Sequence, residues 1–289
     1  MRSAVCDGFR GMNDFSFFRE QLSEWKMDLN EQQENMLLRY FEMLVEKNKV
    51  MNLTAITSWE EVCTKHFLDS AALLHVIPPP FLEGKNLIDI GAGAGFPGLV
   101  LKILSPTTGV TLLDALSKRV RFLSSVIDQL NLDNLYKNTQ SVSRETFCGC
   151  RAVHGRAEEL TFVKKNLHNK IQVPQNSGGE EKHNATERFR GAFDIVTARA
   201  VSELRILSEY GIPLLKTGGC FFAYKSANTD FEVKQAEKAI ALLGGKIQKV
   251  YKYQLPRTDI SRSLIVIQKV KPTPNQYPRP SAHIKKKPL

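Results

Sequence analysis

The chain has 289 residues, 42% of them hydrophobic and 24% charged, which suits one large domain, or one ordinary domain with an extension, around a sizeable core. Forty Lys and Arg stand against 30 Asp and Glu, a formal net charge of +10, and that excess favours a polyanionic partner. No apolar run reaches the length of a membrane span, and the opening MRSAVCDGFRGMNDF lacks an apolar signal core, so neither secretion nor a membrane anchor is expected. Five scattered cysteines, with Cys148-Gly149-Cys150 lacking a second pair or a nearby histidine at ligand spacing, read as free thiols of a reducing cytoplasm. No metal site is expected, and the sequons at Asn52 and Asn184 then carry nothing.

Residues 1 to about 14 read as a loose end. From Phe17 to about Asn48 apolar residues recur at helical spacing, with Leu37, Tyr40, Phe41, Leu44 and Val45 on one face and Glu42, Glu46 and Lys47 opposite. MNLTAIT is a break, after which Thr57 or Ser58 caps a second helix, SWEEVCTKHFLDSAALL, that Pro78-Pro79-Pro80 ends. The rhythm then changes. Strands at 86–90, 110–115, 151–155, 193–200 and 218–226 alternate with helical patterns, and IQKVYKYQL and SLIVIQKV close the alternation as two adjacent strands. Such alternation implies an α/β fold, a mostly parallel sheet with helices on both faces. The organisation expected is a helical extension over 1–84, an α/β domain over 85–272 with polar surface loops near 136–150 and 164–191, and a basic tail over 273–289. From Lys269 to Leu289 there are six Lys and Arg and no acidic residue.

The first strand of the α/β region runs into glycines, LIDIGAGAGFPG, where a doubly wound sheet places its ligand. A dinucleotide fingerprint wants G-x-G-x-x-G, but after Gly91 and Gly93 its third glycine position holds Phe96, and Asp89 precedes the turn. D-I-G-A-G-A-G instead resembles motif I of class I S-adenosylmethionine-dependent methyltransferases, in which glycines let the backbone pass close to the cofactor. A turn that only packs a helix on a strand is the bland alternative. Asp114, ending the second strand, suits a carboxylate accepting from both ribose hydroxyls of an adenosyl group. It fits a nicotinamide cofactor equally, or a helix cap.

DIGAGAGFPGLVLKI, LLDALSKRVRFL, HGRAEEL, FDIVTARAV and YPRPSAHIKKKPL, with NKVMNLTAIT and KHFLDS upstream, resemble the ribosomal RNA small subunit methyltransferase G family, also called glucose-inhibited division protein B. The resemblance runs from about Leu37 to Leu289, broken by the two loops, which look longer than is usual for the family. Its specific part is the FPG after the glycines. The resemblance implies a Rossmann-like class I methyltransferase fold, with a seven-stranded mostly parallel sheet and a helical N-terminal extension. It also implies transfer of a methyl group from S-adenosyl-L-methionine to N7 of guanine 527, in the 530 loop of 16S rRNA, by a cytoplasmic monomer acting on that rRNA or the small ribosomal subunit. Matched residue by residue, Gly91 and Phe96, within the turn that also holds Gly93 and Gly95, would line the cofactor site. Ala157 and Glu158 would meet the adenine, and Arg199 is the family's cofactor-site arginine. Lys118, Arg119, Arg156 and Lys225 fall on basic positions near the same rim.

Guanine N7 carries a lone pair and no proton, so its methylation needs no general base. No catalytic side chain is expected beyond positioning groups, with Arg199 and Lys225 the nearest candidates. RNA is held by its phosphates, and the target base must be exposed, usually on an aromatic or guanidinium plane. Phe96, Tyr224, Arg199 and Arg262 are candidates, each readable equally as packing. Tyr277, Arg279 and Lys285, Lys286 and Lys287 form a tail that suits wrapping of rRNA or a solvated end. His66 and Asp69, three apart on the second helix, read as a local contact ordering the N-terminal region ahead of an RNA contact. A methyltransferase of another substrate and a non-catalytic RNA-binding scaffold are the rivals; intact Asp89, Gly91, Gly93, Gly95 and Asp114 argue against the scaffold.

Overall fold

The computed structural model describes residues 14–77, 81–138, 148–161, 189–199 and 202–289. The expected N-terminal end with Cys6, the triproline, and most of the two polar loops with Asn184 lie outside the described residues.

Strands β1 (Asn86–Ile90), β2 (Gly109–Asp114), β3 (Cys150–His154), β4 (Phe193–Arg199) and β5 (Leu215–Ser226) run parallel; β6 (Gly245–Gln254) and β7 (Ser261–Lys269) complete a seven-stranded sheet. The order is β3-β2-β1-β4-β5-β7-β6, with β7 antiparallel to both neighbours, so the last strand is inserted inside the edge strand. β2 is buried along its whole length, as expected of a central strand covered on both faces.

Side chains alternate between two cores. Leu87, Leu112, Phe222 and Leu264 face one, and Ile88, Leu113, Phe221 and Ile265 the other. The first core is shared with α5 (Gly98–Leu104), α6 (Ser117–Gln129) and the N-terminal helices, through Leu37, Tyr40, Leu44 and Phe67. The second holds α7 (Ala157–Thr161), α8 (Leu204–Gly211), α9 (Asp230–Leu242) and α10 (Ser281–Lys286). The helical layer is thus one wall of the sheet's own core. Lys102 of α5 is wholly buried there; its ammonium donates to the carbonyls of Pro106, Thr108 and Cys148 and so ties α5 to the approaches of β2 and β3.

The single helical run expected from Phe17 to Asn48 is instead two helices, α1 (Ser16–Glu24) and α2 (Glu31–Met51). Lys26 takes φ 60° between them, and Asn30 opens α2 with a reciprocal capping box to Gln33. The MNLTAIT break holds, Asn52 ending α2 at φ 48°. Ser58 caps the next segment by accepting from the Glu61 N–H. That segment is α3 (Trp59–Val62), a π-helical turn (Cys63–Leu68) and α4 (Asp69–Val76) in one run.

The C-terminal residues pack back onto the second core. Ile284 is fully buried, and Arg190 donates to the carbonyls of Thr273, Pro274 and Tyr277. Glu209 of α8, 0% exposed, accepts from the backbone N–H of Arg279 at 2.8 Å and from its guanidinium at 2.9 and 2.7 Å. Removing the arginine leaves a buried carboxylate without its cation. Arg279→Ala is therefore expected to destabilise the fold by about 2–3 kcal/mol, just under the cost of breaking a fully buried pair because the arginine is partly exposed; urea unfolding measures it.

Candidate active site

The turn after β1 is built on three glycines at positive φ: Gly91 at 68°, Gly93 at 60° and Gly95 at 108°. The N–H groups of Gly91 and Ala92 donate to the Leu113 carbonyl at 2.8 and 3.0 Å, fastening the turn to the end of β2. The glycines serve different ends. A Cβ on Gly95 would lie 2.3 Å from Leu99 and 2.7 Å from the Tyr40 hydroxyl, so this one admits the helical layer. A Cβ on Gly98 would strike Leu112 at 2.3 Å, so that one admits α5. At Gly93 a Cβ would meet, among the described residues, only the Gly91 carbonyl, at 3.8 Å. Its bare backbone answers no packing demand of the protein and leaves the turn open to a close ligand.

Two carboxylates brace this turn. Asp89, 0% exposed, accepts from the Gly98 N–H at 3.0 Å and the Thr197 hydroxyl at 2.9 Å, joining β1, α5 and β4. Burial pushes it up to about 7 against the restraint of those two bonds. Asp114 accepts from the Gly93 N–H at 2.9 Å and the Leu116 N–H at 2.8 Å, one on each oxygen, with Arg119 at 3.6 Å. Each carboxylate oxygen has a further acceptor position, so the two ribose hydroxyls expected there can still be taken. Ala157 and Glu158 follow β3 at the same strand-end edge and are buried. Among the described residues the buried Glu158 Oε1 has no hydrogen-bond partner, a state that a bound amino group would relieve.

Arg199 ends β4 on the helical-layer side. Its Nη1 donates to Asp69 Oδ2 at 3.1 Å and the Lys65 carbonyl at 3.4 Å, its Nη2 to His66 Nδ1 at 3.2 Å, and its guanidinium carbon lies 5.0 Å from the centre of the Phe96 ring. Burial first, then the Arg199 cation, holds the His66 imidazole down to about 3. His66 and Asp69, expected to make a local helix contact, both turn to Arg199 instead. The Phe96 ring is packed by Tyr40, His66 and Phe67, which leaves its backbone as the part that shapes the turn. Tyr224 is also packing: it is 2% exposed and its hydroxyl donates to the Ser70 carbonyl at 2.8 Å. Arg262, partly exposed, comes within 3.8 Å of Asp69.

The basic residues expected to meet RNA divide. Lys118, Arg156, Lys285, Lys286 and Lys287 are exposed, and Arg119 is half-buried. Lys225 and Arg279 are not available as expected. The Lys225 ammonium donates to Glu232 at 2.6 Å and to the Ser202 carbonyl, and Arg279 is spent on Glu209. An acidic partner elsewhere in the fold claims each, and no local pattern announces it. The sequence reading also missed Tyr40, whose hydroxyl donates to the Ala94 carbonyl at 2.6 Å, and Tyr253, whose hydroxyl donates to Asp69 Oδ1 at 2.8 Å. Both are marked in sequence only as apolar positions of a helix and a strand.

A β3-β2-β1-β4-β5-β7-β6 sheet with a glycine turn after β1 and an acid at the end of β2 defines a class I S-adenosylmethionine-dependent methyltransferase. The sequence pattern of the rRNA small subunit methyltransferase G family matches residues 33–173 and 152–261. The Ribosomal RNA small subunit methyltransferase G of Lactobacillus johnsonii is 39% identical over 272 residues, 94% of this chain and 98% of its own length. That of Lachnoclostridium phytofermentans is 40% identical over 278 residues, 96% and 98% of the two chains, and that of Pediococcus pentosaceus 41% over 263 residues, 91% and 93%. The chain belongs to this family, and its cofactor is S-adenosylmethionine. Among the described residues no helix is long and apolar enough to cross a membrane.

The depressed His66 has a thermodynamic signature. Unfolded chain takes up a proton on this imidazole below about 6.5, the folded protein only near 3, so stability falls as pH drops through that window. In His66→Phe that loss is expected to vanish, flattening the pH dependence between those values by up to about 1.4 kcal/mol per pH unit; denaturant midpoints across that range measure it.

Proposed function

We propose that this rRNA methyltransferase methylates N7 of guanine 527 in the 530 loop of 16S rRNA, as a cytoplasmic monomer that places its substrates and moves no proton. The observation carrying the reading is the turn itself, with bare backbone at Gly93 and the Asp114 carboxylate fixed beside it. Gly91, Gly93, Gly95 and the Phe96 backbone would hold the methionine and adenosyl parts, Asp114 the ribose, Ala157 and Glu158 the adenine, and Arg199 the face towards the helical layer. Bound S-adenosylmethionine supplies a methyl group on a positively charged sulfur.

The titratable groups nearest the turn support an acceptor that carries no proton. Asp89 is occupied by Gly98 and Thr197, and His66 has Nδ1 on Arg199 and Nε2 on Thr54. Each is committed to a structural bond, which leaves it poorly placed to act as a base. What the protein contributes is alignment, and holding two bound partners in register is worth up to about 7–11 kcal/mol. The exposed Lys118, Arg156 and Lys285 to Lys287, with the partly exposed Arg119 and Arg262, supply cations for the rRNA phosphates.

Labelled-methyl transfer to 30S subunits lacking this modification, followed by nucleoside digestion, is expected to yield 7-methylguanosine at position 527; any other product refutes the target. Arg199→Ala is expected to weaken S-adenosylhomocysteine binding about tenfold, the worth of a charge-assisted hydrogen bond, with the fold retained at a lowered melting temperature because the buried Asp69 loses its nearer cation. Calorimetry and a thermal scan check it. Neutralising Lys285, Lys286 and Lys287 to Gln is expected to weaken RNA binding and flatten its dependence on log salt by roughly 0.7 for each phosphate that is no longer neutralised.

A further inference from the structure

The π-helical turn at Cys63–Leu68 sits between two α-helical segments of one continuous run. Such widened turns recur where a helix must aim side chains at a functional group. This one delivers three acceptors, the Lys65 carbonyl, His66 Nδ1 and the Asp69 carboxylate, to the single guanidinium of Arg199, at 3.4, 3.2 and 3.1 Å. His66 Nδ1 faces both the Arg199 donor and the Lys65 carbonyl, at 3.2 and 3.1 Å. A guanidinium only donates, so the tautomer that serves Arg199 has Nδ1 as acceptor and its proton on Nε2, 2.9 Å from the Thr54 hydroxyl.

The acceptors are themselves held. The His66 ring stacks on Phe96, 4.4 Å between centroids at 22°, and the Arg199 guanidinium lies over the same ring. Asp69 is 3% exposed; its second oxygen accepts from Tyr253 on β6 and faces Arg262 on β7. The remaining charged groups around His66 are Lys65 and Glu61, one helical turn back and paired with each other. A free arginine side chain carries rotamer entropy that must be lost each time it grips a ligand. Anchoring it beforehand removes that cost from binding.

We propose that His66 and Asp69 are positioning residues for methyl transfer, fixing Arg199 against the Phe96 ring beside the glycine turn, so that the helical layer is part of the cofactor site. The inference rests on the reading of Arg199 as a cofactor-site residue. It goes beyond that reading by assigning work to residues from a different layer of the fold.

The test is a double-mutant cycle on S-adenosylhomocysteine affinity, read by calorimetry, with melting temperatures alongside. His66→Phe keeps the stacked ring and removes the acceptor; it is expected to weaken binding about fivefold. His66→Asn keeps an acceptor near the Nδ1 position and is expected to stay within about twofold of the parent. Asp69→Asn, which keeps the shape and removes the charge, is expected to weaken binding about fivefold. The pair Arg199→Ala with His66→Phe is expected to bind no more weakly than Arg199→Ala alone, because the histidine acts only through the arginine. If His66→Phe does not fold, Thr54→Val, which releases the Nε2 anchor, replaces it with an expected weakening of about threefold. Parent-like affinity in folded His66→Phe and Asp69→Asn, or in the Thr54→Val substitute, overturns the proposal while leaving Arg199→Ala impaired. Effects that multiply in the double variant overturn it too, since a general loosening of the fold would give that result. Parent-like affinity in Arg199→Ala fails the underlying reading as well, and is recognised by that single variant.

Discussion

Two carboxylates, one near the end of each of the first two strands, hold the loop on which the rest of the molecule is organised. Asp89 joins β1 to the start of α5 and to β4, and Asp114 accepts from the middle of the glycine turn. A backbone bend at positive φ with no side chain to wedge it would otherwise sample many conformations. Fixed from both sides, it presents N–H groups and bare Cα atoms in one arrangement. The cost is visible in Asp89, a buried acid pushed up towards neutrality.

The helical layer continues the same logic. Tyr40 reaches through the gap left by Gly95 to bond the Ala94 carbonyl, and Phe96 is closed in by Tyr40, Phe67 and His66. The N-terminal helices therefore shape the turn's outer side as well as covering the sheet. At the other end of the chain, Arg279 and Ile284 dock the last residues against α8. The three lysines that follow Ile284 project from a seated helix, which gives the cations a defined address.

Much of the architecture is legible in local pattern. The strands at 86–90 and 193–199, the Ser58 cap, the break at Asn52 and the alternation of strand with helix need only a few neighbouring residues to be specified. The glycine turn is legible for the same reason, since positive φ is a demand on individual residues. The split of the first helix at Lys26 was also written locally, as the Asn30–Gln33 box, but the apolar periodicity running across it was the stronger signal.

The sequence by itself determined the class of fold, the glycine turn after β1 with Asp114 at the end of β2, and the family to which the motifs point. Only the tertiary structure decided how the charged side chains are spent. Arg199 and Asp69 are 130 residues apart, Arg279 and Glu209 70, and Lys102 and Cys148 46. The position of β7 between β5 and β6 does leave a trace in the strands, since β7 carries the continuous apolar run LIVI and is buried on both faces while β6 is largely exposed, but which strand pairs with β5 is fixed only by the closed sheet. Propensity and periodicity are properties of a short window of chain. The partner of a buried charge is set by which strands end side by side, and that is fixed only when the whole sheet has closed.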